Sequence, residues 1–219
     1  LVGRDRGYRT RIVGSAGTTA RSTSGLTIAL DGTVAGAVRG RRPIDTLVVV
    51  GGLGSRAAAS DARFVDAVDT LAGRARRVTS VCTGAFVLAA TGRLDGRRAT
   101  THWANCAQLA GRHPDVTVDP DAIYVRDGDV WTSAGVTAGM DLALALVADD
   151  HGPELAHAVA GWLVMFVQRA GGQSQFSPQL TPAARAEPLR DLQAWIGAHL
   201  DADLSVAELA RRAAISERH

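Results

Sequence analysis

Lysine is absent from the 219-residue sequence, whose 24 basic side chains are all arginine. Those arginines are interspersed with 22 acidic residues for a net charge of +2, so charge alone marks no nucleic-acid surface. Together with abundant Ala and Gly, arginine-only usage reads as the codon bias of a G+C-rich bacterial genome. Cysteine occurs twice, at Cys82 and Cys106, which excludes a disulfide framework and makes a reducing cytoplasm the default. No apolar run reaches the ~20 residues that span a bilayer, and the longest beside a helix, residues 142–148, falls far short. No basic-then-apolar leader opens the sequence, so neither membrane nor secretory partners are expected. It begins at Leu1 rather than Met and stops at His219 inside a helical pattern, and so reads as part of a longer protein. With 46% apolar and 21% charged residues, the composition suits one good-sized globular domain plus part of another.

What is present is an alternation of short β-branched runs with helical patterns from Tyr8 to about Ala148, which argues for an α/β sheet flanked by helices. Strands are expected at residues 8–14, 46–50, 77–81 and 99–102. The run Leu47-Val48-Val49-Val50 is apolar on both faces, as in a buried parallel strand. It ends in Gly51-Gly52-Leu53-Gly54, and a helix follows from near Ser60, the expected N-cap. A hairpin reads at residues 122–126 and 130–133, joined through Asp127-Gly128. Helices are expected at 136–149 and 153–168, the second with Leu155, Val159, Trp162, Leu163 and Phe166 spaced for core or dimer packing. Residues 171–187, opened by Gly171-Gly172-Gln173-Ser174 and rich in proline, read as a linker. The remainder, 188–219, carries two helical patterns, at 189–200 and 205–214. Ser205 with Glu208 three residues on gives the second a capping-box start.

The chemically suggestive stretch is Arg77-Val78-Thr79-Ser80-Val81-Cys82-Thr83-Gly84-Ala85-Phe86, a strand that runs into Cys82 and straight into a helical run. That is the logic of a nucleophile elbow. It places the sulfur at the carboxyl end of the sheet, where open α/β folds bind ligands, and at a helix start whose partial positive charge favours a thiolate. Backbone N–H groups there and in the Gly51-Gly52 turn suit an oxyanion or carboxylate. His102, ending its own strand, is the candidate base. On these residues alone a functional Cys82 and a buried structural cysteine remain equally open.

The motifs Val81-Cys82-Thr83-Gly84-Ala85-Phe86, Thr100-Thr101-His102-Trp103 and Trp131-Thr132-Ser133-Ala134-Gly135 closely resemble those of ThiJ/PfpI domains in the GlxA branch of AraC/XylS transcription regulators. Residues 171–177 resemble that branch's inter-domain segment, and 203–219 the start of its helix-turn-helix. The resemblance implies a flavodoxin-like parallel sheet flanked by helices over residues 1–170, followed by the start of an all-α DNA-binding domain. It implies promoter DNA as partner in the whole protein, an unknown small-molecule effector, and a homodimer. Cys82 and His102 are then the elbow pair, with Gly51, Gly52, Thr83, Gly84 and Asp141 as candidate ligand-binding residues. Ser216, Arg218 and His219, opening the reading helix, are the candidate DNA contacts.

Two departures bear on enzyme activity. ThiJ/PfpI domains normally begin with a strand and helix that would precede Leu1, and that segment supplies the acidic residue beside the cysteine. Thr83 follows the cysteine where the proteolytic branch has histidine. Both favour a sensor over the rival reading, a cysteine-dependent hydrolase, hydratase or glyoxalase-like enzyme with Cys82 as nucleophile and His102 as base. A dimerisation module with an inert cysteine is the third reading. No cofactor is expected. No metal is expected either, since Cys82, His102 and Cys106 lack a fourth ligand and a paired-ligand motif. The segment from Gly171 onward holds five Arg against six acidic residues, so its DNA role rests on the helical pattern rather than on charge.

Overall fold

In the computed structural model, residues 7–22, 24–167, 172–173, 192, 195–196, 199 and 201–213 are described. The contacts divide the chain into two units, Leu1–Gln175 and Phe176–His219. The first is built on a four-stranded sheet of β5 (Ile44–Val49), β6 (Ala75–Val81), β10 (Val130–Ser133) and β9 (Tyr124–Asp127), in that spatial order. β5, β6 and β10 are parallel, and β9 returns antiparallel to β10. The hairpin closes through Gly128 and Asp129, one residue later than the sequence suggested, with Gly128 supplying the φ of +60° that the turn needs.

Small pairings surround this sheet. β1 (Val13–Gly14) runs parallel to β4 (Gly32–Thr33), β2 (Thr19–Arg21) pairs antiparallel with β3 (Thr27–Ala29), and α1 (Val34–Arg39) follows, capped by the Thr33 hydroxyl. Of the strand expected at 8–14, only Val13–Gly14 forms. Tyr8 instead reaches Asp150, to which its hydroxyl donates at 2.6 Å.

α2 (Ser55–Ala59), α3 (Ala62–Ala72) and α4 (Gly84–Ala90) follow the first two sheet strands. Ser60 ends α2 rather than opening α3. The N-cap is Asp61, whose carboxylate accepts from the Arg63 and Phe64 amides and so satisfies two donors that a serine hydroxyl would share less well. α4 is buried through six consecutive residues and forms the core with Val68, Ala72, Val78, Leu94 and Leu109, against which Leu47 and Val49 pack. The other side of β5 is open: Val48 is 47% and Val50 70% exposed, against the expectation of burial on both faces. β5 is an edge strand of this sheet, and α6 (Ala138–His151) packs against β10 and β9.

β7 (Arg98–Ala99) pairs with β8 (Thr117–Val118) and stops short of the expected 99–102. Residues 100–102 leave the strand, tied to the sheet where the Thr100 amide donates to the Thr132 hydroxyl at 2.8 Å. A 3-10 turn, Trp103–Asn105, leads into α5 (Cys106–Arg112). α7 (Pro153–Trp162) packs on α6 but ends well before residue 168. Beyond it the chain turns at Val164 (φ +54°), leaving Trp162 85% and Phe166 79% exposed rather than in the core.

In the second unit, α8 (Val206–Ala213) shows half of the expected capping box, since the Ser205 amide donates to the Asp203 carboxylate at 2.9 Å rather than to Glu208. The Ser205 hydroxyl accepts from the Glu208 amide, and Glu208 pairs with Arg211 and Arg212 across one turn. Most of the helix expected at 189–200, and the candidate DNA contacts Ser216, Arg218 and His219, lie outside the described residues.

Candidate functional site

β6 delivers its last residue to a sharp reversal. Cys82 sits in the left-handed region at φ +56°, a conformation costly for any residue with a side chain. Neighbours on every side hold it there. Its amide donates to the Ser133 and Ala134 carbonyls at 3.0 and 3.2 Å, and its carbonyl accepts from the Thr101 hydroxyl at 2.7 Å. Gly84 opens α4 where a Cβ would come within 2.1 Å of the Val49 carbonyl, so only glycine allows α4 to start this close to β5. Gly51 presses on the elbow from the other side, since a Cβ there would lie 2.7 Å from the Thr83 nitrogen.

Thr83 and the Gly51-Gly52 turn form a closed hydroxyl knot. The Gly52 amide donates to the Thr83 hydroxyl at 3.0 Å, and the Ser55 hydroxyl donates to the Gly52 carbonyl at 2.9 Å. The Thr83 and Ser55 hydroxyls lie 3.1 Å apart. The Gly52 N–H, expected to face an anion, donates here to the Thr83 hydroxyl, a bond local to the fold.

His102 and Cys82 meet over Gly135. A Cβ on Gly135 would fall 2.3 Å from His102 Cδ2 and 3.4 Å from Cys82 Sγ, so the absent side chain is what admits both groups. His102 also caps the 3-10 turn, its Nδ1 accepting from the Ala104 amide at 3.3 Å. That bond leaves Nε2 to carry the proton of the neutral ring. Asp141 is buried in the first turn of α6, where Gly139 lets the helix approach Val81.

The two cysteines differ in setting. Cys82 is partly exposed, whereas Cys106 is buried at the start of α5 with its sulfur 3.6 Å from the Thr101 and His102 carbonyls. Burial pushes the Cys106 thiol up from its ordinary value, against the lowering effect of the hydrogen bonds. No group of three or more metal-ligating side chains occurs among the described residues.

Residues that sequence reasoning passed over also reach this region. Arg56 on α2 hydrogen-bonds Asn105 on the His102 turn and lies 5.7 Å over the Phe86 ring. No spacing rule links Arg56 to Asn105. Gln173, assigned to the linker, is buried at 5% exposure. It donates from Nε2 to the Thr101 and Ala122 carbonyls at 3.1 and 2.9 Å and to the Thr100 hydroxyl at 3.2 Å.

A parallel α/β sheet with a left-handed cysteine at the carboxyl end of β6 defines the class, and the chain belongs to the DJ-1/PfpI family, whose model matches residues 2–149. Among curated relatives it is 38% identical over 149 residues to isonitrile hydratase of Pseudomonas putida, covering 67% of this chain and 62% of the relative. It is 32% identical over 215 residues to the HTH-type transcriptional regulator CdhR of Pseudomonas aeruginosa, covering 96% of this chain and 61% of the regulator. The chain thus spans about three fifths of the length of both. Among solved structures it resembles a ThiJ/PfpI family protein from Pseudomonas syringae, with TM-score 0.62 and 30% identity over 93% of this chain and 76% of the other. It also resembles an AraC family transcriptional regulator from Pseudomonas putida, with TM-score 0.60 and 25% identity over 73% of this chain and 83% of that one.

Proposed function

We propose that this chain is the sensor domain and the beginning of the DNA-binding domain of a cytoplasmic, homodimeric transcription regulator. Its small-molecule effector binds at Cys82 and His102, among Gly51, Gly52, Thr83, Gly84 and Asp141, and its promoter contacts begin at Ser216, Arg218 and His219. The observation that carries this reading is the reach of the likeness to CdhR, which covers 96% of the chain. Such a match runs beyond the first unit into the unit that holds the Ser205-capped α8. A hydratase or hydrolase has no need of that second unit.

The enzyme reading draws support from the likeness to isonitrile hydratase. Against it stands the His102 ring: with Nδ1 facing the Ala104 amide, the neutral imidazole presents a proton from Nε2 rather than a lone pair. We expect no appreciable hydrolase, glyoxalase or isonitrile-hydrating turnover. Gel-shift titration of the protein carrying a complete helix-turn-helix, against its own promoter region and a scrambled duplex, separates the readings. Preferential binding to the promoter supports the regulator. Equal affinity for both, with turnover abolished by Cys82→Ala, replaces it with the enzyme.

A further inference from the structure

Gly172 and Gln173 fit the first unit as a plug. Gly172 lies against the Asp121 carboxyl, where a Cβ would come within 2.4 Å of the carboxyl atoms and push that exposed side chain aside. The Gln173 amide donates to the Asp121 carbonyl at 2.6 Å, which seats the backbone. The two Nε2 protons are then spread over three acceptors: Thr100 Oγ1, Thr101 O and Ala122 O. These acceptors belong to the segment that leaves β7 and to the loop before β9, so the one side chain staples both.

Thr101 connects this plug to the elbow. It is wholly buried; its hydroxyl donates to the Cys82 carbonyl, and its own carbonyl accepts from Gln173. The next residue is His102. A shift of the Cys82 backbone, held in a left-handed conformation by such bonds, therefore moves the acceptor that Gln173 needs. A buried amide side chain that loses its partners is costly to leave in place, so the glutamine is either seated or withdrawn, which gives a two-state element.

We propose that Gln173 is a latch coupled through Thr101 to the Cys82 elbow. A ligand or adduct at Cys82 changes how firmly residues 172–173 are seated, and with them the point at which the chain leaves the first unit for the second. This gives the regulator its transmission step and rests on the regulator reading, but its test needs no DNA.

The test uses brief treatment with iodoacetamide that modifies Cys82 alone, confirmed by mass, followed by hydrogen exchange on the full chain. The Gln173 amide should change its protection at least about five-fold on modification, the lower range for coupling between sites. The Val78 amide, bonded to the Asp129 carbonyl midway along β6, should not change. In Gln173→Ala the Cys82 amide should change by a similar factor, and the unmutated chain supplies the readout if that variant fails to fold. An unaltered Gln173 amide in the Cys82-modified protein overturns the latch. A changed Gln173 amide in a protein that does not discriminate its promoter overturns the regulator reading and leaves the latch standing.

Discussion

The two ends of the central sheet are built from opposite chemistry. At the amino end of β6, Arg76 and Arg77 are clasped by Asp45, Asp149 and Asp150, with Arg126 joining at Asp149. Trp131 lies beneath the guanidinium groups of Arg77 and Arg126, at 5.8 and 4.4 Å. At the carboxyl end the ties around the elbow run through neutral hydroxyls, those of Ser55, Thr83, Thr101 and Thr132, around one left-handed cysteine. Charge fastens α6 to the sheet at one end. Neutral bonds hold the backbone at the other, beside the cysteine sulfur and the His102 ring.

The largest effect is expected from Arg77→Ala. Arg77 is buried and bridges two aspartates, and removing one partner of a buried ion pair costs about 3 kcal/mol or more. Urea unfolding should register that loss while the alkylation rate of Cys82 stays unchanged. A changed rate would mean that the two ends are not separate devices.

Acid should dissolve the same end. Burial alone would raise the Asp150 carboxyl, but hydrogen bonds from Arg77, Tyr8 and Arg76 overcome it and hold the group at about 2. The Asp45 carboxyl is also lowered, chiefly by its hydrogen bond from Arg76. A value depressed in the folded state gives stabilisation that is complete above the ordinary carboxylate range near pH ~4 and disappears as pH falls toward 2. Denaturant midpoints measured between pH 5 and pH 2 should fall less steeply in Arg77→Ala than in the unmutated protein. Equal slopes would contradict the assignment.

At the carboxyl end the expected effects are smaller and of opposite sign. Cys82→Gly removes the penalty of a left-handed residue and should stabilise the fold by about 1 kcal/mol. Destabilisation on thermal melting would mean that the elbow is not strained. Ser80→Ala should raise stability by up to about 1 kcal/mol, because the buried Ser80 hydroxyl has no hydrogen-bond partner among the described residues. A lower melting temperature would show that the hydroxyl is satisfied.

The elbow and the β9–β10 hairpin were legible because each is local. A β-branched run that meets Cys-Thr-Gly states its geometry within a few residues, and a glycine between alternating strands marks the hairpin, although the turn falls on Gly128-Asp129 rather than on Asp127-Gly128. The Arg77 cluster was not legible, since its partners lie on β5 and α6 and no spacing rule connects them. The burial of β5 was misjudged because Val48 and Val50 report only their own hydrophobicity, while their exposure depends on which helices cover that face. The helix start near Ser60 was placed within a residue, yet the cap went to Asp61, whose carboxylate serves two amides. In the site, no spacing rule singled out Gly135, the bare backbone position that Cys82 and His102 both border. Gln173 looked like linker because its composition is that of a linker, and its burial comes from acceptors on two segments distant in the chain.

The carboxyl end of β6 is expected to carry an open, reactive thiol at Cys82 while the chain's other thiol only fills the core. Rates of alkylation of Cys82 and Cys106, followed separately by mass across pH 6 to pH 9, test it most directly. Cys82, partly exposed at the elbow, should react much faster at every pH, with Cys106 protected by burial and by a raised thiol value. Faster reaction of Cys106, or a Cys82 inert up to pH 9, would mean that the elbow carries no reactive thiol.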